Sequence, residues 1–119
     1  MSMERLILPN ELYRHETTED GSTITFTTMR QQVLHCIGMD GSGSRRHRPY
    51  IRHGKMFYSP WRNYFYTCAD DKTWNKLCEH GYADHGRASD NNTTCFRVTR
   101  KGLDWIGEQL GMTIYDEEK

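Results

Sequence analysis

The chain has no CxxC pair, no internal repeat, and no apolar run near the roughly 18 to 20 residues of a membrane span. Each absence closes a route. Its four cysteines, Cys36, Cys68, Cys78 and Cys95, fall at irregular spacings, so neither a zinc-knuckle pattern nor a disulfide framework is written in them. The opening MSMERLILPNELYRHE lacks the basic-then-apolar pattern of a secretory leader, which sets the expectation of a cytoplasmic protein with reduced thiols. The glycine-containing stretch DGSGS, 40–44, has no Walker lysine and no strand–helix frame, so a phosphate-cradling loop is not expected. Bulk charge is lacking too, since sixteen Lys and Arg balance sixteen Asp and Glu. With 119 residues and 35% of them hydrophobic, the chain is sized for one domain with a thin core.

The most informative absence is local. From Arg45 to Arg62 there is no carboxylate, but there are six cations: Arg45, Arg46, Arg48, Arg52, Lys55 and Arg62. The flanking stretches 1–44 and 63–119 carry a net −3 each, so a neutral chain is strongly polarised around a +6 centre. Six aromatic rings are threaded through SRRHRPYIRHGKMFYSPWRNYF, 44–65.

Local signals predict an α+β domain in five stretches. Residues 1–28 read as a β-hairpin region, with Thr23, Ile24, Thr25, Phe26 and Thr27 after the Asp20-Gly21 turn. Leu6, Ile7 and Leu8 could add a short strand before Pro9. Residues 29–39 read as a helix capped by Thr28, with Met29, Val33 and Ile37 one turn apart and Gly38 as its stop. The basic aromatic strip, 40–65, holds two of the three prolines and reads as irregular or partly extended. In 66–115, Asp70 or Asp71 caps a helix carrying Trp74, Leu77 and Cys78, ended by Gly81. Two strands around SDNN follow, the second burying Phe96 and Val98. Thr99 then caps a last helix whose stripe is Leu103, Ile106 and Leu110, closed by Gly111. Met112 to Tyr115 could make a final short strand, and 116–119 read as a frayed tail.

The run LCEHGYA, a β-wing and FRVTRKGLDWI resembles the second half of winged-helix domains. That resemblance implies a small winged-helix-like α+β domain, with the N-terminal β-hairpin and the basic aromatic strip as insertions. The chain departs from it in having the strip where a helix-turn-helix places its preceding helix. The stretches VLHCIGMD, WRNYF and FRVTRKGLDWI also resemble small proteins of phages and prophages, over about two thirds of the chain. That likeness implies a host bacterial cell as the setting, and it transfers no catalytic residue. Counter-defence proteins, anti-CRISPR inhibitors among them, share this size and lack of catalytic motif.

The candidate binding residues are Arg45, Arg46, Arg48, Tyr50, Arg52, Lys55, Tyr58, Trp61, Arg62 and Tyr64. The cations suit phosphates, and the rings suit bases or a protein partner. The plainer reading puts Phe57, Trp61 and Phe65 in the core, leaves the arginines solvated, and has Arg62 and Asn63 tie loops together. Cys78, His80, His85 and Cys95 have zinc-ligand atoms, but C-x-H-x₄-H-x₉-C is not a paired grip, so no metal or cofactor is expected. No local motif aims a base at a nucleophile, and no enzyme is expected. The sequence thus predicts a non-catalytic phage-type accessory protein docking on nucleic acid or a host nucleic-acid-handling complex, with a homodimer allowed. The alternatives are a winged-helix transcriptional regulator reading duplex DNA, and a small zinc-stabilised or hydrolytic protein.

Overall fold

The computed structural model describes residues 5–39 and 48–115, and the chain in it is α+β. Local chemistry builds the first elements. Strands β1 (Tyr13–Thr17) and β2 (Thr23–Thr27) pair antiparallel in the register Tyr13↔Thr27 to Thr17↔Thr23. At the turn, the Asp20 carboxylate accepts from the Thr18 hydroxyl and, at 3.0 Å, from the Ser22 amide. The Thr18 and Ser22 hydrogen bonds hold the Asp20 pKa down at about 2. Every residue of both strands is exposed, so this ribbon stands away from the core.

Thr28 then caps α1 (Met29–Cys36), its hydroxyl accepting from the Gln31 amide. The helix ends three residues before the predicted boundary at 39. Ile37 is its C-cap, and Gly38 has φ +79, the left-handed conformation the sequence assigned to it. Ahead of the hairpin, the segment expected as a short strand is not one, although Leu6 and Leu8 are buried. Side chains of the last helix bind its backbone instead, the Trp105 indole donating to Leu6 O and Gln109 Oε1 accepting from the Leu8 amide.

The centre of the molecule is a three-stranded antiparallel sheet of β5 (Phe65–Cys68), β7 (Thr93–Val98) and β6 (Ala83–His85), in that order. Helix α2 (Lys72–Glu79), capped by Asp71, buries Trp74 and Leu77 against it. Trp74 lies between Phe65 and Phe96, with ring centroids 5.0 and 5.6 Å away. Burying side chains of this size contributes about 1.5–3 kcal/mol each. Thr99 caps α3 (Arg100–Leu110), which buries Leu103, Trp105 and Ile106. Leu110 is only partly buried, and Trp105 is the stripe member the periodicity reading left out. A Cβ at Gly102 would lie 2.0 Å from Tyr82 O and 2.6 Å from Val98 Cγ1, so the helix start admits only glycine there. This close approach explains the glycine in VTRKG.

The strip between α1 and β5 is more regular than predicted. Strands β3 (Tyr50–Arg52) and β4 (Lys55–Tyr58) form a tight hairpin, and β8 (Thr113–Ile114) pairs parallel to β4. The two turn residues, His53 and Gly54, have φ of 53° and 75°. Both are left-handed, which matches the twist of the flanking strands. No helix among the described residues is long and apolar enough to cross a membrane.

Candidate nucleic-acid interface

Period-two alternation splits the β3–β4–β8 sheet into two faces. Tyr58 and Ile114, paired in register, point into the core and are fully buried. Ile51 and Met56 share that side beyond the core, lining a groove of about 520 Å³ with Gly107, Gly111 and Met112. The opposite face carries Tyr50, Arg52, Lys55, Phe57 and Tyr115. There the rings make a ladder. Phe57 stacks on Tyr50 at 5.8 Å and on Tyr115 at 5.7 Å, with interplanar angles of 27° and 9°. Tyr50 is 44% and Tyr115 43% exposed, so both outer members of the ladder are open to solvent.

Beside the ladder, Arg52 and Lys55 stand directly opposite each other across the hairpin, both exposed. Like charges in cross-strand register destabilise a sheet. Neither side chain pairs with a carboxylate among the described residues. Arg48 is exposed just before β3, and Arg45 and Arg46 lie outside the described residues. The cations are therefore held together at a cost to the fold, next to solvent-facing rings.

The second half of the strip does something else. The last carbonyls of a helix have no intrahelical partner. Four consecutive carbonyls, those of His35 and Cys36 at the end of α1 and of Ile37 and Gly38 just beyond it, are met by donors from residues 58–64. His35 O accepts from Arg62 Nε at 2.9 Å, Cys36 O from the Tyr64 amide at 3.2 Å, Ile37 O from the Tyr58 hydroxyl at 2.7 Å, and Gly38 O from the Trp61 indole at 2.9 Å. Asn63 bridges to β7, its amide donating to Val98 O and its carbonyl accepting from Val98 N, both at 2.8 Å. The Arg62 guanidinium lies 4.7 Å from the Trp61 ring centroid. A Cβ on Gly38 would fall 2.1 Å from the Trp61 indole nitrogen, so the clamp closes only on glycine.

Burial removes one residue from the predicted site: Tyr58 is fully buried and cannot meet a partner. Trp61, 38% exposed, and Arg62 each hydrogen-bond a carbonyl at the end of α1. The loop-tying reading of Arg62 and Asn63 describes WRNYF well. Tyr64 is exposed through its ring, which lies by Tyr66 at 5.7 Å on another sheet, so it does not join the ladder. Of the predicted residues the structure brings together Tyr50, Arg52 and Lys55, with Arg48 leading in. It adds Phe57 and Tyr115. The tyrosine, about sixty positions downstream, is placed by the β4–β8 pairing, and nothing local announces that pairing.

The residues considered for metal are spread apart. Cys78 is on α2, the His80 ring stacks by Tyr82 at 5.6 Å, His85 packs by Phe96 at 5.3 Å, and Cys95 is on β7. Among the described residues no three His, Cys, Asp or Glu side chains gather as a metal site. Burial, with the Asp84 charge adding to it, pushes the Cys78 thiol pKa up. Compared with known protein families, curated proteins and solved structures, the chain matches none.

Proposed function

We propose that this is a non-catalytic, phage-type accessory protein that docks on nucleic acid, or on a host nucleic-acid-handling complex, through the outer face of β3–β4–β8. The observation that carries the reading is the Arg52–Lys55 cross-strand pair beside the Tyr50–Phe57–Tyr115 ladder. A phosphate chain resolves the repulsion between the two cations, and the rings supply contact area beyond charge. Interference with a host defence system, in the manner of anti-CRISPR inhibitors, is the setting suggested by size and by resemblance to phage proteins.

The order β5–β7–β6, with α2 leading through Gly81 into the β6–β7 hairpin and α3 behind it, supports describing that half as winged-helix-like. It also supports a second reading, a regulator that reads duplex DNA through α2. Against that reading, the surface along α2 mixes Lys72 and Lys76 with Asp70 and Glu79, which repel phosphates.

The test is co-purification from bacterial lysate, with and without nuclease, alongside an Arg48→Glu/Arg52→Glu/Lys55→Glu variant. The expected result is nuclease-sensitive nucleic acid, or a nucleoprotein, eluting with the wild type and absent from the folded variant. A variant that retains the same material as wild type overturns the assignment of this face. Loss of retention on Lys72→Glu/Lys76→Glu instead would favour the regulator.

A further inference from the structure

We propose that the β3–β4–β8 face is a single-strand platform, on which unpaired bases stack against Tyr50 and Tyr115 while Arg52 and Lys55 hold the adjoining phosphates. This rests on the nucleic-acid reading above and narrows it to one substrate class. The ladder decides the narrowing. In a duplex the base faces are covered by neighbouring bases, so a protein reads edges with hydrogen-bonding side chains in a groove. Here the exposed rings offer flat faces, and a flat face pairs with an unstacked base.

The arrangement is built in advance. Phe57, half-buried between the two tyrosines, fixes the tilt of both rings, and the strands beneath hold them in register. Tyr115 is anchored through its own backbone, its amide donating to Tyr58 O at 2.9 Å. The left-handed His53–Gly54 turn keeps Arg52 and Lys55 adjacent, so the cations sit at one end of the hairpin and the rings at the other. A chain crossing this face meets charge and stacking in succession. The short strands, three and four residues long, limit the footprint to a few nucleotides.

Fluorescence anisotropy with labelled oligothymidylate of about 15 nucleotides, and with a duplex of the same length, tests this. The expected result is single-strand binding at least about 10-fold tighter than duplex binding. Tyr50→Leu and Tyr115→Leu should each weaken it by about 5- to 150-fold, the range of one lost stack. Tyr115→Phe, which keeps the ring, should bind like wild type, and unchanged melting temperatures would show that the leucine variants are folded. Equal duplex affinity, with the leucine variants unaffected, overturns the single-strand platform and leaves the broader nucleic-acid reading standing. Binding to neither oligonucleotide overturns both.

Discussion

The two halves of the basic aromatic strip both mix cations with rings, three cations and two rings in 48–57 against one cation and three rings in 58–64, and they are employed in opposite ways. From Arg48 to Phe57, cations and rings face solvent, and Arg52 is set against Lys55. From Tyr58 to Tyr64, hydroxyl, indole, guanidinium and backbone donors reach four successive carbonyls at and just beyond the end of α1. Charge and aromaticity therefore do not define a surface. What separates the halves is whether the polar atoms have partners within the fold. A satisfied arginine is part of the scaffold, and one set against a like charge is available to an anion.

That contrast can be broken at its strongest point. Tyr58→Ala removes a fully buried ring together with the donor to Ile37 O, and should cost about 3–5 kcal/mol of stability. Urea unfolding that moves by less than about 1 kcal/mol would mean the clamp carries no weight. Asn63→Ala leaves both Val98 backbone groups without their partner and should cost about 2–3 kcal/mol. Its oligonucleotide affinity should stay at the wild-type value under conditions where it is folded.

A smaller effect is expected at high pH. Burial pushes the Cys36 thiol up to about 12 from 9.0, and its Sγ donates to Asn63 Oδ1 at 3.4 Å. The unfolded thiol therefore loses its proton first, and the folded state is disfavoured from pH 9 upward. The stability of wild type relative to Cys36→Ala should fall by about 1 kcal/mol per pH unit there. A pH-independent difference would place the thiol in water rather than inside the clamp. Smallest is the effect of Asp116, Glu117 and Glu118, which follow Tyr115 in the sequence. Neutralising them as Asp116→Asn/Glu117→Gln/Glu118→Gln should tighten oligonucleotide binding by about 2- to 5-fold at low salt, and by less as salt rises.

Much of the fold was legible because its signals are local. Asp20-Gly21, Thr28, Gly38, Asp71, Gly81, Thr99 and Gly111 each act within a turn of their own position, and each holds its predicted role. The site was only half legible. Its cations stand out in composition, but His53-Gly54 is a weaker turn signal than Asn-Gly, so the β3–β4 hairpin read only as irregular or partly extended chain. Tyr115 reaches the ladder through parallel pairing with a strand far away in sequence, which no local pattern encodes. Tyr58 looks like a contact residue until its burial and its hydrogen bond to Ile37 O, just past α1, are known, and both need the end of the helix in space.

The most direct test removes one positive charge from each half of the strip. Arg52→Gln and Arg62→Gln lose the same formal charge, so any difference between them reflects what each arginine does. Oligothymidylate affinity near physiological ionic strength, where exposed charges are screened over about 8 Å, reports the difference. Arg52→Gln should weaken binding several-fold at unchanged melting temperature. Arg62→Gln should melt earlier, by about 1–2 kcal/mol of lost stability, and bind like wild type while folded. Equal loss of affinity in the two variants would contradict the division, making the whole strip one charged surface.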